Sequence, residues 1–146
     1  PVVQLAKEEG IMLVVETGNN AMITSCFLGK KLIDDLETTH LKVLWDPANA
    51  LYCGENPSKN ALDSMVGGYL GHVHMKDVEV SIHQATIKCV ALGEGQMAPH
   101  LSTIAERLND IDYKGSMSLE SVYRPSGGDF EDGFQASIST FKNLFS

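Results

Sequence analysis

Positive charge is scarce in this sequence. Eleven lysines and arginines stand against 19 aspartates and glutamates, for a net charge of −8 and a pI near 5.0. Such a surface repels phosphate backbones and anionic lipid headgroups, so neither nucleic acid nor membrane is expected as a partner. The only arginines are Arg107 and Arg124. That is little with which to cradle a phosphate, and it points to an unphosphorylated substrate. Long apolar runs are missing as well: nothing approaches the roughly 20 residues of a membrane span. The start, PVVQLAKEEG, has no basic end leading into an apolar stretch, so no secretory leader is expected there. Cysteine is limited to Cys26, Cys53 and Cys89, an odd number without a CxxC pair. They read as reduced thiols of a cytoplasmic protein rather than a disulfide framework.

What is present suits one globular core. The chain has 146 residues, of which 43% are hydrophobic. VVQLAKEEG reads as the end of a helix stopped by Gly10. Four short apolar runs then read as strands: IMLVVE (11–16), LKVLWD (41–46), YLGHVHM (69–75) and GSMSLE (115–120). Between them lie helical patterns. Residues 23–36 place Phe27, Leu28, Leu32, Ile33 and Leu36 at helical spacing. Pro57 and Ser58 open a short helix reaching about Val66, with Ser58 as its N-cap. Residues 99–108 gather Leu101, Ile104, Ala105 and Leu108 on one face. Residues 130–145 carry a stripe of Phe134, Ile138, Phe141 and Leu144. The stretch 78–97 reads as irregular, with a glycine-bracketed turn in ALGEGQM.

Strict alternation of strand and helix implies a parallel sheet. In such sheets functional groups gather at the carboxyl ends of strands. Here those ends carry Glu16, Asp46, His74 and Glu120. Each taken alone has an ordinary explanation: a helix cap, a turn or a solvated strand end. All four together make a plausible divalent metal site of mixed oxygen and nitrogen ligands, suited to Mn²⁺, Mg²⁺ or Co²⁺, with Zn²⁺ possible. Period-two alternation puts Val14, Leu44, His72 and Ser118 on the same inward face, and Val15, Trp45, Val73 and Leu119 toward the helices. His72 then lies one layer below His74, a supporting or core residue rather than a metal ligand. Lys76 has two readings: contact with a substrate oxygen or acid–base work, or an ordinary ion pair with Asp77 or Glu79.

The motifs LVVETGNN, LWDPANALYCG, HVHMKDV, ALGEGQM and YKGSMSLES occur in this order over nearly the whole chain. In that combination they resemble the xylose isomerase-like TIM-barrel superfamily of sugar isomerases and epimerases. The resemblance implies an α/β fold of (β/α)₈ TIM-barrel type, with residues 1–146 forming one partial, half-barrel domain of strands five to eight. It implies that Glu16, Asp46, His74 and Glu120 hold a divalent metal, with manganese preferred. It also implies that Glu16 and Glu120 exchange a proton beside the carbonyl of a sugar or cyclitol ketone, through an enediolate. His72, Asn49 and Lys76 are then expected to meet the substrate.

Three positions depart from the ketose 3-epimerase pattern. Asn49 stands where those enzymes carry a substrate-binding His, Val80 where they carry an Arg, and Met22 where they carry a Glu. Lys76 and Asp77 look more like the HxHxKD branch, which includes inositol-ketone dehydratases. A dehydratase or lyase acting at the same site is therefore the alternative activity, and a non-catalytic barrel fragment the alternative class. A nucleic-acid enzyme on this barrel would need a histidine-rich multi-zinc cluster, which five histidines and a net charge of −8 do not favour. A lone half-barrel leaves two open sheet edges. The functional unit is accordingly expected to be larger than this chain, as a homo-oligomer or by pairing with the missing half-barrel.

Overall fold

The computed structural model describes residues 1–57 and 59–145. The N-cap expected at Ser58 lies outside the described residues. The chain opens with α1 (Val2–Glu8), which ends where Gly10 turns at φ +66°. Four parallel strands follow: β1 (Leu13–Glu16), β2 (Leu41–Trp45), β3 (Leu70–Met75) and, after an inserted hairpin, β6 (Ser116–Leu119). Their order in the sheet, β1-β2-β3-β6, is their order in the chain. The sheet is thus the parallel sheet that the strand–helix alternation implied, with the four strands of the half-barrel that the resemblance implied. Among the described residues no helix is long and apolar enough to cross a membrane.

Three helices crowd one face of the sheet. Helix α2 (Cys26–Asp35) begins at Ser25, whose hydroxyl accepts the Leu28 N–H at 3.2 Å. A Cβ on Gly29 would meet Val43 at 2.7 Å, so this glycine lets α2 lie close against β2. Helices α4 (Lys59–Ser64) and α5 (Ala98–Asp110) continue the layer. Val43, Trp45, Val73 and Met75 are buried from the sheet side, against Ile33, Leu62, Leu101 and Ile104 from the helices. The opposite face of the sheet is open. Val14 is 44% exposed, and His72, His74 and Ser118 are half-buried.

Gly71 explains how β3 turns its histidines to that open face. Along β2 and β3, Val43 pairs with Leu70 but Leu44 pairs with His72, so β3 carries one extra residue. This irregularity is what a bulge does: it resets the phase of alternation. Leu70, Val73 and Met75 are all buried, while His72 and His74 share the other side. The extra residue must be small, because a Cβ on Gly71 would meet Lys42 Cβ at 2.7 Å and Val14 Cγ1 at 2.9 Å. Gly71→Val is expected to cost about 1–3 kcal/mol by overpacking and to displace the histidines, measured as a lowered urea midpoint with an unchanged m-value.

The stretch 78–97 is not the irregular segment the sequence suggested. β4 (Asp77–Ser81) and β5 (Thr86–Val90) pair antiparallel as a hairpin that follows β3 directly. A short helix, α3 (Pro47–Tyr52), was also unanticipated. It is capped by the Asp46 carboxylate, with Pro47 at its first turn. The last helix, α6 (Phe130–Phe145), packs Phe141 and Leu144 of its expected apolar stripe, with Phe145, against the core. It buries Gly133 and Ser137, while Phe130 and Phe134 are 50% and 39% exposed. A Cβ on Gly133 would overlap the Tyr123 carbonyl, and the Ser137 hydroxyl accepts the Leu92 N–H at 3.1 Å. Small side chains, not phenylalanines, set this close approach.

Candidate metal centre

At the carboxyl ends of the four parallel strands the chain turns from apolar to ionisable. Glu16 is the last residue of β1, Asp46 follows β2, His74 is next to last in β3, and Glu120 follows β6. One ligating atom from each of these four lies within 4.8 Å of the others. His74 Nδ1 is 3.4 Å from Glu16 Oε1 and 3.7 Å from Glu120 Oε2. The sheet order places Asp46 and His74 between the two glutamates, which come from the edge strands.

Asp46 is fully buried, and its two oxygens are differently engaged. Oδ1 accepts the Asn49 N–H at 3.0 Å and so caps α3. Oδ2 lies 2.6 Å from the Lys76 ammonium but has no hydrogen bond of good geometry. Thr17, also fully buried, clamps the strand end: its hydroxyl accepts the Asp46 N–H at 2.9 Å. The cap expected of an isolated aspartate and the place in a ligand cluster therefore belong to the same residue.

Lys76 pairs with neither Asp77 nor Glu79. Its ammonium sits 2.6 Å from Asp46 Oδ2 and 2.6 Å from Glu120 Oε2, with the side chain 11% exposed. Burial acts to lower its pKa, but the two carboxylates outweigh that and raise it above the usual lysine value, so the ammonium stays charged. Burial is also the largest influence on Asp46, pushing its carboxyl above the ordinary range against the pull of Lys76. Glu79 pairs instead with Lys88 across the hairpin, at 3.3 Å.

The other expected site residues fall around this cluster. Asn49 Nδ2 donates to the Thr17 carbonyl at 3.1 Å and lies 3.5 Å from Glu16 Oε1, so its amide borders the site. His72 sits one layer below His74, their rings edge to face at 5.1 Å between centroids. Both its ring nitrogens are engaged, with Ser116 Oγ at 2.9 Å and Ser118 Oγ at 2.7 Å. Burial first and His74 second hold its pKa below the usual histidine range. His72 thus lies beneath the cluster with both ring nitrogens partnered within the sheet.

Asp77 is the residue whose part sequence reasoning missed. Fully buried, it accepts four backbone N–H groups: Val78 and Met97 on Oδ1, both at 2.8 Å, and Gly93 and Gly95 on Oδ2, at 2.9 and 3.0 Å. The GEG turn is folded around this carboxylate. The signal was present in the sequence, as an acid just past a strand and a glycine-rich turn some 16 residues later.

The cluster fits a divalent cation by its chemistry. Three carboxylates and one imidazole are a hard-to-borderline donor set. His74 Nδ1 is buried without a hydrogen bond, the state of an imidazole nitrogen left for another partner. Glu16, Asp46, His74 and Glu120 are the residues that would hold such an ion.

An α/β half-barrel with ligand-type side chains at its strand ends defines the class. More particularly, the chain belongs to the xylose isomerase-like TIM barrel family, whose profile matches residues 1–144. No curated protein matches the chain. Among solved structures it is similar to D-psicose 3-epimerase from Clostridium cellulolyticum H10 (21% identity, TM-score 0.74, covering 99% of this chain and 53% of that one). It is similar to the probable 3-DHS dehydratase AsbF from Bacillus anthracis (16%, TM-score 0.75, 97% and 53%). It is also similar to an IolI protein with a bound zinc atom (16%, TM-score 0.76, 98% and 53%). At these identities the likeness is one of fold. The chain spans about half the length of each of these relatives.

Proposed function

We propose that this chain carries the metal-binding half of a divalent-metal-dependent isomerase or epimerase acting on a sugar or cyclitol ketone by proton transfer beside the carbonyl. The convergence of Glu16, Asp46, His74 and Glu120, with ligating atoms all within 4.8 Å, carries this reading. A divalent ion held there, manganese by preference, with magnesium, cobalt or zinc able to replace it, would lower the cost of negative charge on the substrate's carbonyl oxygen. Glu16 and Glu120 reach in from the two outer strands, flanking Asp46 and His74. One carboxylate takes the proton from the carbon next to the carbonyl, leaving an enediolate. The other, which starts the step protonated, gives its proton to the opposite face of that carbon for epimerisation, so the pair ends with its proton exchanged; delivery to the neighbouring carbon gives isomerisation. Asn49 and Lys76 supply amide and ammonium groups to the substrate's hydroxyl oxygens.

Dehydration is the second reading. The same base removes the proton and a β-hydroxyl leaves; the fold shared with a probable dehydratase favours it. The working unit is larger than this chain. Edge strands β1 and β6 pair with further strands, supplied by a second copy or by a complementary half-barrel, and those supply the rest of the substrate pocket. The acidic surface and unpaired cysteines favour a cytoplasmic setting.

The test has two stages. Elemental analysis of gently purified protein should find near one divalent ion per chain. Ketoses and inosose in D₂O should then gain deuterium next to the carbonyl. An unchanged carbon skeleton with full hydroxylation supports isomerase or epimerase; loss of a hydroxyl supports the dehydratase. A folded protein that takes up no metal when Mn²⁺ is supplied overturns both.

A further inference from the structure

The position of Lys76 bears on how the centre is filled. Three carboxylates crowd within one cluster, where like charges repel. Lys76 offsets that repulsion, and it does so on particular atoms. Asp46 Oδ1 is committed to the Asn49 N–H, so Oδ2 is the oxygen that carboxylate has left for a cation; Lys76 holds that one. Glu120 Oε2 is the oxygen that faces His74 Nδ1, and Lys76 holds that one as well. At 2.6 Å from both, the ammonium bridges the two carboxylates. A divalent ion on the same two oxygens would face a like charge at close range.

Resting on the metal reading above, we infer that Lys76 is the resident cation of the metal-free centre and that metal binding exchanges its ammonium for the divalent ion. Lys76 then weakens metal affinity while keeping the empty site folded. Once displaced, the ammonium is free to meet a substrate oxygen, so the loaded centre and the substrate-ready lysine arise in one step.

The decisive measurement is Mn²⁺ affinity of the 146-residue chain, by titration calorimetry or the signal of free Mn²⁺, for wild type, Lys76→Gln and Lys76→Arg. Lys76→Gln is expected to bind roughly tenfold more tightly, and Lys76→Arg to stay near wild type. Metal-free Lys76→Gln should melt below metal-free wild type, with the gap closing at saturating Mn²⁺. A second arm needs no variant. Reductive methylation of wild type, read at Lys76 by peptide mass spectrometry, should rise when Mn²⁺ saturates the site. Wild-type binding with unchanged or weaker affinity in Lys76→Gln overturns the exchange but leaves the metal reading standing. So does Lys76 labelling that fails to rise at saturation. Absence of Mn²⁺ binding in both proteins overturns the metal reading and the exchange with it.

Discussion

Asp77→Asn is expected to destabilise the fold by about 3 kcal/mol, or about 10 °C in Tm for a chain of this size. The reason is the number and direction of the donors. Four backbone N–H groups point at one buried carboxylate, two on each oxygen. An amide of the same shape offers one acceptor oxygen and replaces the other with a donor. Whichever way it turns, two N–H groups then face an NH₂, and buried donors lose their partners. The damage spreads because these donors belong to different elements. Val78 lies in the first strand of the hairpin, Gly93 and Gly95 form the turn, and Met97 is the N-cap residue of α5. A Cβ on Gly95 would overlap the Asp77 carboxylate and the Val78 carbonyl. Gly95→Ala should therefore break the same nest from the other side, and the double variant should lose less than the sum of the two. Urea denaturation of the three variants decides the matter. Asp77→Asn within 1 kcal/mol of wild type would mean that water, not Asp77, satisfies these donors.

The site's frame was legible because three of the parallel strands are short apolar runs closing on an acid and the fourth carries His74 one residue before its end, and parallel sheets bring such ends together. Glu16, Asp46, His74 and Glu120 could be read on that ground alone. What sequence hid were interactions made between neighbours in space. The ordinary reading of Lys76 paired it with the acids beside it in the chain, Asp77 or Glu79, yet consecutive residues there point in different directions. Its partners come from the ends of β2 and β6. The hairpin was hidden by its turn. Residues 82–85 contain no glycine, proline or asparagine, and Ala85 adopts the left-handed conformation, φ +51°, that those positions usually give to glycine. The period-two pattern was there nonetheless: Val78 and Val80 pair with Cys89 and Ile87. In α6 the stripe reaches the core through Phe141 and Leu144, but its first half is exposed at Phe134, because contact there depends on how closely Gly133 and Ser137 allow the backbone to approach. The phase shift at Gly71 was equally invisible to simple alternation. It is why Leu70 can be buried two residues before a histidine that faces the open side.

In the assembled enzyme, Glu16→Gln and Glu120→Gln should each lower turnover by about 10²–10⁴, the usual worth of a positioned acid or base. The two should fail differently. If one carboxylate serves each face of the substrate, either variant still has a base for one face. With the substrate whose C–H lies on that face, deuterium should continue to enter the recovered starting ketose from D₂O while epimer formation stops. The other variant should show this behaviour with the epimer, not the starting ketose. Metal affinity separates chemistry from binding. Glutamine keeps a carbonyl oxygen as a neutral donor but forfeits a charge, so each variant should bind Mn²⁺ more weakly, and exchange must be compared at saturating metal. Of the two, Glu120→Gln has the additional effect of removing one of the two anions that hold Lys76, leaving only Asp46 at 2.6 Å. Its loss of affinity should therefore be the smaller, because the cation to be displaced is held less tightly. Equal loss of exchange in both variants, with either epimer as substrate, would show that a single base works both faces. The assignment of Glu16 and Glu120 as a pair would then fall, leaving the metal cluster in place.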